Sequence, residues 1–466
     1  MIRINGYEKK RIAVMGLGVA GLPTARALMA SGAVVLAWDD GVDSRNKAAA
    51  AGVPIVDLLA SDWAGVDTLV LSPGIPHTFP KPHPIAERAR KSDVAIVCDV
   101  DLLGRAEPAA TYVGVTGTNG KSTTTALIAH ILKSAGRKIE VGGNLGPAVL
   151  DFAPLGKDGV YVLEMSSYQL ERTFSIAFDV AVLLNVSPNH IDRHGDLTGY
   201  VAAKTRIFAP TQGVGGIRKP QTAVIGVDDD ETRRIADALA TDDRRRVVRI
   251  TREVPKQGMV GAEGGKLVDR SEGAARTVID LKDAPDLPGR HNAQNAAAAY
   301  AATRALGVAP EAIAAAMKTY RSLPHRLERI ATVDGIVYVN DSKATSPEAT
   351  VWALTSYDRV YWIAGGLSKE VGYDALVPHL GRIAHAFLVG AAAEEIATFL
   401  ARHKIPYTVA GTLDRAVAAA HAKAKAEHAA KVVLLSPACA SFDQYTSFGA
   451  RGDAFRAQVK TLGGHP

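Results

Sequence analysis

The fold of this chain is decided by one stretch, Thr116-Gly117-Thr118-Asn119-Gly120-Lys121-Ser122-Thr123. It follows an apolar run, Tyr112 to Val115, and precedes a run with helical spacing that starts at Thr124. A strand that leads through a glycine-rich turn into a helix brings backbone N–H groups, the positive helix end and a lysine to one point. The stretch therefore predicts a nucleoside triphosphate site, with Lys121 at the β- and γ-phosphates and the hydroxyl of Ser122 or Thr123 on Mg²⁺. It is not a standard Walker A loop, because the position five before Gly120 is Val115.

Two further apolar runs in the central part end in polar side chains. The run Val160 to Leu163 leads into Glu164, and a carboxylate at the end of a strand beside a phosphate loop predicts a Mg²⁺ ligand. The run Val180 to Leu184 leads to His190, Asp192 and His194 at alternate positions, which leaves a zinc hydrolase as an alternative. The phosphate loop and the hard oxygen ligands favour Mg²⁺ over zinc.

The N-terminal part shows a Rossmann-like pattern. A predicted strand, Arg11 to Met15, precedes Gly16-Leu17-Gly18-Val19-Ala20-Gly21 and a helix from about Pro23 to Ser31. Asp39 ends the next predicted strand, where a ribose contact is expected. The turn fits either a nicotinamide or flavin dinucleotide or the pyrophosphate of a UDP-sugar, and we favour the UDP ligand. A third strand enters the loop that carries Ser72, Gly74 and Ile75, at the sheet edge where α/β folds bind ligands.

Length and spacing predict three α/β domains. The 466 residues suggest about three domains of ~150 residues. We place them at residues 1–107, 108–321 and 322–466. The third contains strands that end in polar loops at Asn340, Gly365 and Leu435, separated by helical stretches.

Composition excludes several function classes. A hydrophobic content of 47% and a mean hydropathy of +0.04 indicate a soluble globular protein. The net charge of +6 is spread over the chain without a basic stripe, so no nucleic-acid partner is expected. The two cysteines, Cys98 and Cys439, give no disulfide framework, and no uncharged apolar run of ~18 residues or signal peptide is found. We expect a cytoplasmic protein without a membrane span, and a monomer by default.

Taken together, the motifs resemble those of the Mur ligase family over essentially the whole chain. The phosphate loop is similar to the ATP loop of this family and of folylpolyglutamate synthases. The segments Asn189 to Arg193 with Lys204, and His291-Asn292 with Asn295, resemble other motifs of the family. Two C-terminal segments, residues 340–345 and 435–445, look like those of the members that add D-glutamate. Ser346 departs from the expected asparagine, and Leu367-Ser368 departs from an Asp-Gly pair.

The resemblance implies a fold, an activity and a set of site residues. The implied fold is α/β with an N-terminal Rossmann-like UDP-binding domain, a central P-loop ATPase-like domain and a C-terminal Rossmann-like domain. The implied activity is the ATP-dependent addition of D-glutamate to UDP-N-acetylmuramoyl-L-alanine through an acyl phosphate, in peptidoglycan precursor biosynthesis and hence in cell-wall biogenesis, cell shape and cell division. The implied catalytic residues are Lys121, His190, Lys204 and Arg326. The implied ATP-binding residues are Gly117, Thr118, Asn119, Gly120, Lys121, Ser122, Thr123, Asn292, Asn295, Arg326 and Asp341.

The remaining implied residues hold the other substrates and the metal. The UDP-substrate set is Val19, Ala20, Asp39, Ser72, Gly74, Ile75, Asn144 and His190. The D-glutamate set is Thr345, Lys369, Ser441, Phe442 and Phe448. The metal set is Ser122, Glu164, His190 and Lys204. Lys204, by default an exposed helix lysine, resembles the carbamylated lysine of the family. An ammonium ~4 Å from Mg²⁺ would be repelled by roughly 8 kcal/mol at a dielectric constant of about 20, whereas a carbamate is attracted.

Three other function classes have distinct tests. A folylpolyglutamate synthase is disfavoured by the UDP-type domain that precedes the ATP loop. A dehydrogenase, favoured by Gly16 to Gly21 alone, would change NADH fluorescence on binding. A non-catalytic nucleotide-binding regulator would release no phosphate when all substrates are present.

Overall fold

The computed structural model describes residues 1–209, 221–243, 245–368 and 372–463, so Lys369, a predicted D-glutamate ligand, lies outside the described residues. The chain divides into two compact units: unit 1 is Met1–Ile279 with Gln294–Met317, and unit 2 is Asp280–Ala293 with Lys318–Pro466. Each of the three described sheets lies within one of the three predicted domains, but the domain boundaries themselves stay a prediction.

The first sheet of unit 1 is parallel and built from βα repeats. Its strands are β1 Arg11–Met15, β2 Val34–Trp38, β3 Val66–Leu71 and β4 Ala95–Val97, and its helices are α1 Gly21–Ala30, α2 Val42–Ala50, α3 Pro84–Lys91 and α4 Asp99–Ala106. The strand order is β2-β1-β3-β4. The bounds of β1 and β2 confirm the strands predicted from their apolar runs. The carboxyl ends of β1 and β3 are neighbours, which brings the Gly16 turn beside the loop that starts at Ser72.

The second sheet of unit 1 contains β5, the strand that leads into the phosphate loop. Its strands are β5 Thr111–Thr116, β6 Ile139–Gly143, β7 Val160–Glu164, β8 Val180–Leu183, β9 Gln221–Gly226, β10 Arg245–Ile250, β11 Met259–Glu263, β12 Lys266–Asp269 and β13 Arg276–Asp280. The helices of this stretch and those that follow it are α5 Lys121–Ser134, α6 Ser167–Leu170, α7 Ile191–His194, α8 Leu197–Thr205, α9 Asp230–Leu239, α10 Arg290–Ala305 and α11 Pro310–Thr319. The order is β13-β12-β11-β10-β9-β8-β5-β7-β6, with an antiparallel pair at β11 and β12. Val115 pairs with Glu164 and Thr116 with Leu183, so three strand ends meet at the phosphate loop.

Unit 2 contains a six-stranded sheet. Its strands are β14 Glu328–Val333, β15 Ile336–Asn340, β16 Val360–Gly365, β17 Ile383–Val389, β18 Tyr407–Gly411 and β19 Val432–Leu435, and its helices are α12 Pro347–Thr355, α13 Ala393–Arg402, α14 Leu413–Glu427 and α15 Phe448–Thr461. The order is β14-β15-β19-β16-β17-β18, parallel except for the β14–β15 hairpin. Strand β16 is buried along its whole length, and the Trp362 indole donates to the carbonyl of Ser436 at 2.8 Å.

Short 3-10 helices complete the described secondary structure at Val149–Asp151, Gly156–Asp158, Arg206–Phe208, Leu281–Asp283 and Asp374–Arg382. In the part of the chain that the structure describes, no helix has both the length and the apolar character needed to cross a membrane.

Candidate active site

The predicted phosphate loop joins β5 to α5 as expected. Gly120 has φ +83°, and a Cβ atom there would lie 2.4 Å from Asn295 Oδ1, so the turn needs glycine for both its conformation and its space. Lys121 begins α5, and its Nζ donates to the carbonyls of Gly117 at 2.9 Å and Thr118 at 2.8 Å. The first N–H groups of α5 have no acceptor within the helix. Gly120, at the N-cap position, has no side chain that could accept from them. The loop therefore has the geometry of an anion site.

Asn185, which follows β8, holds the loop in place. Its Oδ1 accepts from the Asn119 amide at 2.8 Å, and its carbonyl accepts from the Thr118 amide at 2.9 Å. The Thr118 hydroxyl in turn accepts from the Ser187 amide at 3.0 Å. Sequence reasoning assigned Asn185 no role, although its position after the strand next to β5 was a usable signal.

Ser122 and Glu164 form the candidate metal site. Ser122 Oγ donates to Glu164 Oε2 at 2.6 Å, and the Asn144 side chain donates to Glu164 Oε1 at 2.9 Å. Glu164 is only 2% exposed. A hydroxyl and a carboxylate oxygen at this distance fit a small hard cation, whose other ligands would be phosphate and water oxygens. The resemblance implies that Asn144 binds the sugar nucleotide, which stays a prediction, and its side chain contacts Glu164.

A zinc site built from the alternating histidines is not seen. Among the described residues no group of three or more His, Cys, Asp or Glu side chains is placed to hold a metal. The ring of His194 is hydrogen-bonded to Glu171 at 3.1 Å and to Ser167 at 2.9 Å. The donor set thus fits a cation that arrives with nucleotide phosphates rather than a cage made by the protein alone.

Lys204 is buried beneath the phosphate loop, so the default expectation of an exposed helix lysine is wrong. Its side chain belongs to α8, is 2% exposed, and donates from Nζ to the Gly117 carbonyl at 2.8 Å. Burial, and then the positive charge of Lys121, lower the pKa of Lys204 to about 6. The amine is therefore largely uncharged at neutral pH.

His190 is exposed and lies beside Tyr168 and Tyr200. It has φ +53°, and its ring centroid is 5.3 Å from that of Tyr168 and 6.5 Å from that of Tyr200. Partial burial, followed by the charges of Lys121 and Lys204, lowers the pKa of His190. The ring is thus neutral at physiological pH and can accept or donate a hydrogen bond.

Six residues of the predicted UDP set lie at or next to the turn before α1, namely Val19, Ala20, Asp39, Ser72, Gly74 and Ile75, whereas Asn144 contacts Glu164 and His190 lies beside Tyr168. Ser72 Oγ donates to the Gly16 carbonyl at 3.0 Å. A Cβ atom on Gly16 would lie 2.6 Å from Ser72 Oγ. Asp39 accepts from the backbone amides of Leu17 at 2.6 Å and Gly41 at 2.8 Å, so it shapes the turn directly. Val19 is 82% exposed at the mouth of this turn.

Two arginines that sequence reasoning missed fix the loop after β3. The buried Arg172 donates to the carbonyls of Leu71 at 3.0 Å and Pro73 at 3.0 Å, and Arg193 donates to that of Gly74 at 2.9 Å. These contacts join segments about a hundred residues apart, so no local pattern could have shown them.

In unit 2, Asp341 follows β15 and is buried. It accepts from Ser436 Oγ at 2.9 Å and from the Leu327 amide at 3.2 Å. Burial raises the pKa of Asp341 to about 7, against the smaller opposing effects of these donors and of the Arg326 charge. Asp341 can therefore exchange a proton near neutral pH.

Three residues of the predicted D-glutamate set, Thr345, Ser441 and Phe442, lie on loops of unit 2 that Arg451 joins. This arginine is 2% exposed and donates to the carbonyls of Ser342, Gly365, Cys439 and Ala440 at 3.0 to 3.3 Å. These loops follow β15, β16 and β19, and they carry Thr345 and Ser441 among other residues.

Two aromatic side chains of the predicted D-glutamate set have different environments. Phe442 is 70% exposed, whereas the Phe448 ring lies 4.6 Å from the Lys343 ammonium. Ser346 caps α12, with its side chain accepting from the Ala349 amide at 3.4 Å. Serine and asparagine are comparable helix caps, which explains how serine is tolerated at this position.

The two predicted amides at the start of α10 are both buried. Asn295 Oδ1, in unit 1, accepts from the Thr124 hydroxyl at 3.2 Å. Asn292, in unit 2, donates from its side chain to the Pro288 carbonyl at 2.7 Å.

Comparison with known families and proteins identifies similar sequences along the whole chain. The Mur ligase middle domain family matches residues 115–303, and the family described as Mur ligase, glutamate ligase domain, matches residues 325–439. The UDP-N-acetylmuramoylalanine–D-glutamate ligase of Paramagnetospirillum magneticum is 52% identical over 99% of both chains. The ligase of the same name from Rhodospirillum rubrum is 49% identical over 99% of this chain and 97% of its own.

Solved structures share the fold at low sequence identity. The UDP-N-acetylmuramate–alanine ligase of Thermotoga maritima gives a TM-score of 0.57 at 18% identity, covering 97% of this chain and 99% of its own. The MurF ligase of Thermotoga maritima in complex with ADP gives a TM-score of 0.56 at 18% identity, covering 99% of this chain and 98% of its own. These likenesses confirm the predicted α/β fold with a P-loop ATPase-like central part.

Proposed function

Because this chain belongs to the Mur ligase family, we propose that it joins D-glutamate to UDP-N-acetylmuramoyl-L-alanine in an ATP-dependent reaction of peptidoglycan precursor synthesis. The observation that carries this proposal is full-length identity of about half with relatives named for that reaction. The phosphate loop with Ser122 and Glu164 supplies the matching chemistry. A dehydrogenase, which the Gly16 turn alone would allow, has no such support.

The reaction needs an activated carboxylate, since a free carboxylate is a poor electrophile. We propose that a carboxylate oxygen of the L-alanyl group attacks the γ-phosphorus of ATP while the bond to ADP breaks, giving an acyl phosphate. The D-glutamate nitrogen then attacks the acyl carbon, phosphate leaves, and the nitrogen loses a proton to form the amide. Lys121 neutralises the transferred phosphoryl group in this scheme, and Arg326 is assigned the same task.

We assign Mg²⁺ to Ser122 and Glu164. The cation would neutralise negative charge on the triphosphate. The oxygen pair at 2.6 Å supports this assignment, and Asn144 supports it by holding Glu164 Oε1. Participation of His190 in the metal set stays a prediction.

We further propose that Lys204 works as a carbamate. Its nitrogen would add to CO2 and release a proton, which requires the neutral amine that the lowered pKa provides. The resulting anion would be attracted by Mg²⁺, whereas an ammonium would be repelled.

The substrate-binding sets stay proposals of their own. We assign the sugar nucleotide to Val19, Ala20, Asp39, Ser72, Gly74, Ile75 and Asn144, with His190 near the reacting carboxylate. We assign D-glutamate to Thr345, Lys369, Ser441, Phe442 and Phe448, and the remaining ATP contacts to Asn292, Asn295, Arg326 and Asp341. The sugar-nucleotide residues other than Asn144 and His190 lie together at the turn before α1, which supports the first assignment. The loops joined by Arg451 support the assignment of D-glutamate.

We propose a cytoplasmic monomer. Both cysteines are free and buried, which suits a reducing compartment. We propose ATP as the cofactor of the protein. Sedimentation equilibrium with and without substrates tests the oligomeric state, and a dimer would contradict it.

The function is tested by phosphate release from ATP with UDP-N-acetylmuramoyl-L-alanine and one amino acid at a time. D-Glutamate should support release, with L-glutamate, L-lysine and meso-diaminopimelate at least about a hundredfold slower. Amide formation without ATP consumption, or equal rates with all four amino acids, would refute the proposal.

A further inference from the structure

The Arg193 side chain joins two parts of unit 1, the loop after β3 and the Tyr168 ring beside His190. Its Nη1 donates to the Gly74 carbonyl at 2.9 Å. Its guanidinium lies over the ring of Tyr168, with Cζ 4.5 Å from the ring centroid. The His190 ring packs against the same ring at a centroid distance of 5.3 Å. One guanidinium therefore contacts both the loop proposed to hold the sugar nucleotide and the ring against which His190 packs.

The main chain of α7 provides a second connection between Arg193 and His190. His190 is the residue before this four-residue helix, and its carbonyl accepts from the Arg193 amide at 3.0 Å. The side chain of Arg193, through Tyr168, and its backbone amide thus both help to determine where the His190 ring lies.

The Tyr168 ring is fixed by a further contact. The His194 ring stacks on it at a centroid distance of 5.4 Å and an interplanar angle of 20°. Both ring nitrogens of His194 are hydrogen-bonded to neighbouring side chains, so this ring is fixed as well. Because packed rings have little freedom to move, a displacement of Arg193 is passed on to His190 rather than absorbed at Tyr168.

The two arginines that reach the loop after β3 differ in how completely they are hydrogen-bonded. Arg172 is buried and donates to three successive carbonyls, those of Leu71, Ser72 and Pro73, so it holds the conformation of the loop. Arg193 donates to one carbonyl of the loop, and its buried Nε has no hydrogen-bond partner among the described residues. A buried N–H without an acceptor costs stability, so fold stability alone does not account for Arg193.

We propose that Arg193 is a positioning residue that couples the bound sugar nucleotide to His190. The inference rests on the proposed function, which assigns the sugar nucleotide to the loop after β3 and places His190 near the reacting carboxylate. By fixing the separation of these two points, Arg193 lets binding energy gained at the nucleotide orient the carboxylate for its attack on the γ-phosphorus. Its contribution is therefore to the rate of the reaction rather than to the affinity for the nucleotide.

A separation of kcat from affinity tests this role in the intact protein. Arg193→Met removes the guanidinium and keeps an unbranched side chain. With all three substrates at saturation, we expect kcat for phosphate release to fall at least about tenfold. The dissociation constant of UDP-N-acetylmuramoyl-L-alanine, measured by titration calorimetry, should stay within about threefold of the parent value, because Arg172 still holds the loop. An unchanged kcat, or a loss confined to affinity, would overturn the inference.

Arg90→Met is the matched control. Arg90 is exposed on α3 and donates to a carbonyl further along the same loop, that of His77, but no contact with Tyr168 or His190 is described for it. Both kcat and the dissociation constant should stay within about twofold of the parent values. A loss of kcat as large as that in Arg193→Met would show that any arginine on this loop has the same effect, and would reject the coupling.

Two variants of Tyr168 test the other half of the connection. Tyr168→Leu removes the ring and should lower kcat at least about tenfold, whereas Tyr168→Phe keeps the ring and should retain at least about a third of the parent kcat. Combining Tyr168→Leu with Arg193→Met should slow the enzyme no more than about threefold beyond the slower single variant, because both changes interrupt one connection. Equal kcat values in the two Tyr168 variants, or losses that multiply in the double variant, would contradict the inference. The two Tyr168 variants also decide the matter if Arg193→Met does not fold, as judged by circular dichroism.

Phosphate release by the parent separates this inference from the proposed function. A parent that releases no phosphate with UDP-N-acetylmuramoyl-L-alanine, ATP and D-glutamate refutes the proposed function. An active parent whose kcat survives Arg193→Met refutes only the role of Arg193.

Discussion

At the scale of single residues, Lys204 shows how burial creates reactivity. Its amine is neutral above about pH 6 because burial and Lys121 disfavour the charged form. The folded-state pKa is below the ordinary lysine value, so the neutral amine that the proposed carbamylation requires is lost as pH falls through about 6. We expect bicarbonate to reactivate CO2-depleted enzyme several-fold at about pH 7.5 and not at about pH 5.5, measured as the initial rate of phosphate release.

The Lys204→Ala variant provides the control. It should lose most ligase activity, show no response to bicarbonate, and regain part of its activity with a small added carboxylic acid that replaces the carbamate. Full activity in this variant would remove Lys204 from the mechanism.

The two hydroxyls at the start of α5 make a second residue-scale prediction. Ser122 bonds to Glu164, whereas no such bond is described for Thr123. We expect Ser122→Ala to raise the Mg²⁺ concentration for half-maximal activity about tenfold or more, and the matched Thr123→Ala to change it less than about threefold. The reverse ranking, measured by Mg²⁺ titration of phosphate release, would assign the metal to Thr123.

Residue types and spacing alone predicted Lys121, Glu164 and a hydroxyl at Ser122 or Thr123, because a phosphate loop is a local pattern. They could not choose between Ser122 and Thr123, since that choice depends on β7 pairing with β5. They also could not show the burial of Lys204, because its contacts, such as that with the Gly117 carbonyl, are with residues distant in sequence.

At the scale of elements, the turn between β5 and α5 depends on glycine. Alanine at Gly120 would meet Asn295 Oδ1 at 2.4 Å as well as an unfavourable φ, whereas Gly136, at the other end of α5, has φ +74° and open space around it. We expect Gly120→Ala to weaken binding of an ATP analogue at least about tenfold. Gly136→Ala should cost only ~1 kcal/mol of unfolding free energy and leave the affinity unchanged. Equal affinities in both variants would contradict this role of the turn.

The loops after β15, β16 and β19 depend on one guanidinium. Arg451 donates to carbonyls in all three, and Arg451→Met keeps much of its volume but none of these donors. We expect the KM for D-glutamate to rise at least about tenfold, with little change for ATP. Arg456→Met removes a partly exposed arginine that lies on the same helix as Arg451 and pairs with Glu328 of β14, and it should change this KM less than about twofold. A KM for D-glutamate in Arg451→Met equal to that of the parent would count against this arrangement.

Elements with a clear period were predicted well, and short ones were not. The strands β1 and β2 match their apolar runs residue for residue, and α1 begins two residues earlier than expected, at Gly21. Helices α6 and α7 have four residues each, too few to show a helical period, so no helix was predicted there. Leu367 and Ser368 stand where the family resemblance predicts an Asp-Gly pair. Leu367 pairs with Ala440, a contact that joins two loops distant in sequence.

At the scale of the whole molecule, each compact unit has a hydrophobic core of its own. Leu163 is fully buried in unit 1, and Leu388 is fully buried in unit 2. We expect calorimetry to resolve two unfolding transitions, with Leu163→Ala lowering one and Leu388→Ala lowering the other, each by about 2–5 kcal/mol. A single transition lowered equally by both substitutions would show that the chain unfolds as one cooperative body.

Chain length predicted about three domains, and the sheets follow that division. Packing instead groups two sheets in unit 1 and assigns residues 280–293 to unit 2, a grouping that depends on contacts between distant segments. Length and composition contain no information on such contacts, so this level of organisation could not be predicted from the sequence.

The hydrogen bond between Ser122 and Glu164 has a consequence for the form of nucleotide that the enzyme accepts. A buried anion at the mouth of the loop repels a bare triphosphate tail, and only a nucleotide that brings its own counterion cancels this repulsion. We therefore expect uncomplexed ATP to be a poor competitor as well as a poor substrate. The enzyme would respond to the concentration of chelated nucleotide rather than to that of total ATP.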